Sequence, residues 1–205
     1  FMTTRLAGNA TYFLPFNKGW DGGAGNPADP QGRTYRTAYL WEEVLQRDSL
    51  LDLLARYIHL QVEKKISDEG KKYDKETMIF PRYHQLQAVR HLIEAAQKDG
   101  PGTNYLVEHS AGSGKSNTIG WLAHRLASLH NAQNKRVFDS VIIITDRLVL
   151  DKQLQDTVYQ FEHKMGEEKK IDDDSRQLAK ALEGGVPIII TTLQKFPYVS
   201  RQLEK

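Results

Sequence analysis

"HSAGSGKS", His109 to Ser116, decides how this chain is read. A loop that wraps a polyphosphate needs glycines so that backbone N–H groups can turn inward, a lysine for the outer phosphates and a hydroxyl for magnesium. Ala111, Gly112, Ser113, Gly114, Lys115 and Ser116 supply these in order. The strict pattern asks for glycine at position 109 and meets histidine. Before the loop, "NYLVEHS" (Asn104–Ser110) predicts a short strand. After it, "KSNTIGWLAHRLASLH" (Lys115–His130) predicts a helix whose first amides and dipole face the anion. A flexible glycine-serine turn with an incidental lysine would not require strand, loop and helix in this order.

The alternation continues outward. "RYHQLQAVRHLIEAAQKDG" (Arg82–Gly100), "RLVLDKQLQDTVYQF" (Arg147–Phe161) and "SRQLAKALEGG" (Ser175–Gly185) predict helices, and "SVIIITD" (Ser140–Asp146) and "VPIIITT" (Val186–Thr192) predict buried strands. Strands alternating with helices predict an α/β fold, a parallel sheet covered on both faces with its ligand at the strands' carboxyl ends. Both of these strands end in polar residues, Thr145, Asp146 and Arg147 after one and Thr191 and Thr192 after the other.

Upstream, the character changes near Glu76 to Phe80. Residues 1–36 are rich in glycine, proline and aromatics, which suits an ordered irregular segment. From Thr37 to Ile66 the pattern reads as helical, with Leu40, Val44 and Leu45 on one face and then Leu50, Leu51, Leu54, Ile58 and Val62, and with Asp48 or Ser49 as a cap. "KKISDEGKKYDKE" reads as a solvated connector because acidic residues interleave its lysines. The expected division is therefore 1–78, irregular and helical, and 79–205, a phosphate-loop domain. At the start of the latter, "FPRYHQLQAV" places Gln85, beside Arg82, where an amide that donates and accepts at once can read an adenine edge, or where a helix simply starts.

Composition narrows the classes. The 205 residues carry 28 basic and 26 acidic side chains, a net charge of +2, so any nucleic-acid contact must be local. No cysteine is present, which removes disulfides and cysteine-ligated zinc or iron–sulfur sites. The longest apolar runs are far short of a membrane span, and the chain reads as soluble and cytoplasmic, with no membrane partner.

Together these pieces resemble the first motor lobe of superfamily 2 helicases and translocases, a RecA-like phosphate-loop domain. "FPRYHQ" looks like their glutamine motif, "HSAGSGKS" motif I, "IIITDRLVLDKQLQDT" motif Ia and "IIITTLQKF" motif Ic. "FLPFNKGWDGGAGNP" and "AYLWEEVLQRDSLLDLLARYIHLQ", with histidine opening the loop, resemble the motor subunit of type I restriction-modification enzymes.

The resemblance implies ATP and magnesium as cofactors, and double-stranded DNA with modification and specificity subunits as partners. It implies an ATP-hydrolysing, site-specific deoxyribonuclease that pulls duplex DNA and cuts it when translocation stalls. By position, Lys115 would be the catalytic lysine on the β and γ phosphates, Ser116 would hold magnesium, and Gln85 with Arg82 would read adenine. Arg147, Thr191, Thr192 and Lys195 would lie along the DNA backbone. The family's acidic motif, second lobe and nuclease region have no counterpart here, so an internal piece, inactive alone, is expected. Two alternatives stay open: a small kinase-like phosphotransferase with Asp146 on magnesium, and a scaffold with a vestigial loop. Arg147 has a plainer role in pairing with Asp151, and Gln194 and Lys195 one as surface residues. His84 and His109 read as packing or hydrogen-bonding groups rather than metal ligands, Trp20, Trp41 and Trp121 as core anchors, and Asp172 to Asp174 as loop.

Overall fold

A computed structural model describes residues 1–145, 154, 157–158 and 175–195. The chain divides into two compact units, Phe1–Gln87 and Ala88–Lys205. The division falls inside a helix, whose first residue, Tyr83, packs against Phe16 and Tyr39 of the first unit.

The first unit begins with irregular chain tied by backbone bridges, Met2 to Leu14 and Trp20 to Gly23. Its core is aromatic. Phe16 meets Phe80 and Tyr83 edge-on at 5.8 and 5.6 Å, and Tyr83 meets Tyr39 at 5.1 Å. A π-helical turn, Leu40–Val44, leads into α1, Arg47–Arg56, which buries Leu53 and leaves Leu50, Leu51 and Leu54 exposed. The leucines read at helical spacing are therefore largely outside, and Gln46, without a side-chain cap, precedes the helix in place of Asp48 or Ser49.

The expected helix and wet connector that follow are instead an antiparallel hairpin. β1, His59–Ile66, pairs with β2, Lys72–Ile79, through a turn at Ser67–Lys71 in which Gly70 has φ +78°. Charge explains the disguise: Glu63 faces Lys75 and Lys64 faces Asp74, so the lysines and acids that resemble a solvated linker are cross-strand pairs. Trp20 and Trp41 are about half exposed, so of the three tryptophans only Trp121 anchors a core.

Helix α2, Tyr83–Asp99, carries Val89, Ile93 and Ala96 inward at helical spacing and stops at Gly100, φ +68°. In the second unit, α3 is Lys115–Ala127, β3 is Val141–Thr145, α4 is Ser175–Glu183 and β4 is Ile188–Thr192. β3 and β4 pair in parallel, Val141 with Ile188 through Thr145 with Thr192. One sheet face packs Ile143, Ile188 and Ile190 against Ala123, Leu154 and Val158, and the other packs Ile189 against Leu178 and Ala181. Burial on both faces explains the unbroken apolar run of β4, whereas in β3 only Ile143 is buried and Ile142 and Ile144 are exposed. α4 closes as its Glu-Gly-Gly ending predicts: Gly185 has φ +63°, and the N–H of Val186 reaches the carbonyl of Ala181 at 3.0 Å.

This mixed α/β arrangement, with a parallel sheet and flanking helices, is consistent with the expected partial RecA-like fold. One expected strand is absent: Asn104–Ser110 pairs with nothing among the described residues, and Leu106 is 93% exposed. Propensity alone makes no strand without a ladder partner. The expected helix at Arg147–Phe161 and the loop at Asp172 to Asp174 lie almost wholly outside the described residues. Among the described residues no helix is long and apolar enough to cross a membrane.

Candidate nucleotide-binding site

The glycine loop ends at the N-terminus of α3. Gly114, the residue before the helix, has φ +83° and ψ +36°, and Gly112 has φ +73°. A side chain in this left-handed region is strained by about 1–2 kcal/mol, which is the physical need for glycine at both positions. His109 does not share it. Among the described residues only Asp21 and Asn134 combine a side chain with positive φ, so the backbone at position 109 makes no demand for glycine. The departure from the strict pattern therefore leaves the loop's conformation intact.

Lys115 curls back over the loop. Its Nζ donates to the carbonyl of Ser110 at 2.9 Å and to that of His109 at 3.1 Å. Histidine thus contributes through its backbone, a part the sequence gives no sign of. Ser113 is buried and its N–H reaches the Ser110 carbonyl at 3.3 Å. Thr118 fixes the other side, its N–H at 3.3 Å and its Oγ1 at 3.4 Å both donating to the Gly114 carbonyl. No side chain caps the first turn of α3 and no acid stands in it, so its amides and the positive end of its dipole face outward. Ala111, Gly112, Lys115 and Ser116 are exposed around that turn. The arrangement suits an anion with several oxygens: donors converge, a cation sits over them, and a hydroxyl stands beside them.

Gln85, in the first unit, is buried, and its Oε1 accepts the backbone N–H of Arg82 at 2.8 Å. This is the reach-back of a helix cap, read in the sequence as Arg-x-x-Gln. It does not close the amide to other use, because a carbonyl oxygen has a second lone pair and the NH₂ two hydrogens.

Elsewhere the expected residues are placed differently. Thr191 and Thr192 are 0% and 1% exposed. Both lie at the end of β4, which is buried on both faces. Lys195 ends a 3-10 turn, Leu193–Lys195. Asp146, Arg147 and Asp151 lie outside the described residues. Among the described residues no cluster of three or more acidic or histidine side chains forms a metal site.

Comparison with known families places this loop. The SWI2/SNF2 ATPase family matches residues 84–205, from the start of α2 through the loop and both strands. The chain belongs to the SWI2/SNF2 ATPase family. No curated protein matches it. As a SWI2/SNF2 ATPase it carries a superfamily 2 helicase-like ATPase fold, and ATP with magnesium is the ligand such a domain implies. The loop residues fit that ligand: two glycines turn the backbone, the uncapped amides of α3 face outward, and Lys115 is tied only to carbonyls that phosphate oxygens can replace.

Proposed function

We propose that this SWI2/SNF2 ATPase chain is part of the ATP-driven, DNA-translocating and DNA-cleaving subunit of a type I restriction enzyme. The observation that carries the nucleotide half of this reading is the Lys115 loop at the head of an uncapped helix inside the matched region. The restriction half is supported by the resemblance of "FLPFNKGWDGGAGNP" and "AYLWEEVLQRDSLLDLLARYIHLQ" in the first unit.

In this reading Lys115 moves from the His109 and Ser110 carbonyls onto β and γ phosphate oxygens, where its charge is worth most as negative charge develops. Magnesium, when bound, neutralises the phosphates and is met by the Ser116 hydroxyl. Gln85 presents its amide edge to adenine, with Arg82 beside it. Arg147 and Lys195 follow a duplex backbone, contacts that give affinity without sequence information, as a tracking motor requires. Modification and specificity subunits supply site recognition.

An equilibrium titration with a fluorescent ATP analogue and magnesium tests the site, with GTP as competitor and Lys115→Ala and Gln85→Ala as variants. Saturable binding that GTP displaces poorly, lost in Lys115→Ala and made base-indifferent in Gln85→Ala, is expected. Equal competition by GTP in the unaltered chain would end the adenine assignment. For the restriction reading, co-purification with modification and specificity subunits is expected, and its failure in the intact subunit would leave a motor of another kind.

A further inference from the structure

The first unit holds a cleft of about 300 Å³ bounded by Asp29, Arg33, Thr34, Tyr35, Arg36 and Glu43 among others. Its acidic groups are largely spent on building it. The Asp29 carboxylate accepts the N–H groups of Gln31, Arg33 and Thr34 at 3.0, 2.8 and 3.1 Å, and these bonds hold its pKa below the usual carboxylate value. Glu43 is neutralised by Lys18 at 2.5 Å and accepts the Tyr83 hydroxyl at 3.3 Å. Lys18 in turn sits over the rings of Tyr39 and Tyr83, at 5.4 and 6.0 Å.

The cations are less committed. Arg33 touches Asp29 only through Nε, at 3.7 Å, which leaves its outer N–H groups uncommitted among the described residues. Arg36 has no carboxylate within ion-pair distance among the described residues. Against these two guanidiniums stands one acid on the cleft with no partner among the described residues, Glu42. Beside them Tyr35 is 79% exposed, braced edge-on by the half-exposed Trp41 at 6.4 Å. An aromatic ring held open to water, its ring contact the edge against Trp41, stands next to one guanidinium paired only through Nε and one with no carboxylate partner among the described residues. It offers a flat apolar face beside two planar phosphate-matching forks.

We propose that this cleft binds single-stranded nucleic acid, Arg33 and Arg36 holding a backbone phosphate and Tyr35 stacking the adjoining base. A carboxylate-bearing peptide would satisfy the guanidiniums and leave the ring unused, and a duplex keeps its base faces stacked on each other. The site is separate from the Lys115 loop and stands whether or not the restriction reading does.

The test is fluorescence anisotropy of a labelled oligothymidylate against the full chain over a series of salt concentrations. Tyr35→Ala and Arg36→Gln should each weaken binding about tenfold, and Arg36→Gln should flatten the slope of log affinity on log salt by about 0.7, the loss of one phosphate contact. Lys98→Gln, an exposed cation on α2, should change nothing, and excess ATP should not displace the strand. Both altered side chains are exposed, and matched thermal unfolding confirms that the variants fold. Absence of binding, full binding by both variants, an equal loss in Lys98→Gln, displacement by ATP, or tighter binding of a duplex would each overturn the proposal.

Discussion

Gln85 receives the backbone N–H of Arg82 on its Oε1 at 2.8 Å, across the first turn of α2. The side chain proposed to read adenine is therefore also a structural part of the helix that carries it. Gln85→Ala removes both functions at once. The lost cap costs about 1 kcal/mol, to which an emptied buried site adds. Denaturant unfolding is expected to show that loss, while the ratio of ATP to GTP affinity reports base reading separately, since a ratio is insensitive to the folded fraction. A stability loss with an unchanged ratio would assign Gln85 to the helix alone.

Lys115 and Gly114 should part company in the same assays. Lys115 is exposed and bonded only to two loop carbonyls, so Lys115→Ala should leave stability within about 0.5 kcal/mol and abolish nucleotide binding. Gly114→Ala forces a side chain into φ +83° and should cost about 1–2 kcal/mol of stability as well as binding. Equal stability losses in the two would mean that the lysine supports the loop rather than the ligand.

What could be read in advance follows from where each signal is stored. α2, α3, α4, β3 and β4 were legible because each carries its own period and, in α2 and α4, its own glycine stop. The loop was legible because its conformation rests on two residues of a type nothing else replaces. The hairpin was hidden because its pattern runs through Glu63, Lys64, Asp74 and Lys75, which face one another across the strands, and pairing between distant residues leaves no local trace. The Asn104–Ser110 segment failed for the converse reason: its composition suits a strand, but its pairing depends on residues elsewhere. At Thr191 and Thr192 a polar type at a strand end, which ordinarily marks the surface, coincides with full burial, because what covers β4 comes from distant parts of the chain.

Helix α1 gives a direct contrast between pattern and burial. Leu53 is fully buried and its neighbour Leu54, on the helical face that the leucine spacing marks, is about half exposed. Leu53→Ala should destabilise by about 2–5 kcal/mol, and Leu54→Ala by less than about 1 kcal/mol. Denaturant midpoints at constant slope measure both. A larger effect at Leu54 would show that its face is covered in solution.

His59 makes the first unit sensitive to acid. Burial lowers its pKa from the ordinary 6.5, only partly opposed by the Tyr57 carbonyl at 3.1 Å from Nδ1. Below about pH 6.5 the unfolded chain takes up a proton that the folded chain resists. Its contribution to stability is thus present above that pH and lost as pH falls through the lowered folded value. Unfolding midpoints between pH 7 and 5 should fall less steeply in His59→Asn than in the unaltered chain. Parallel curves would mean that the ring charges freely in the fold.

Thr191 holds a hydroxyl where the fold has no use for one. It is fully buried in β4, and its Oγ1 has no hydrogen-bond partner among the described residues. Strand periodicity puts it on the sheet face of Ile189, which packs against Leu178 and Ala181. Such a group costs about 1–3 kcal/mol relative to a partnered one, and valine has the same shape without it. Thr191→Val should therefore raise stability by about 1 kcal/mol, read as a higher denaturant midpoint. If duplex-stimulated ATPase of the intact subunit falls in the same variant, the hydroxyl is retained for a working state in which the end of β4 is uncovered, and the DNA role expected of it belongs to that state. If stability rises and ATPase is unchanged, Thr191 is a residual polar group in a core that would hold better without it. A drop in stability would mean that the hydroxyl has a hydrogen-bond partner in solution.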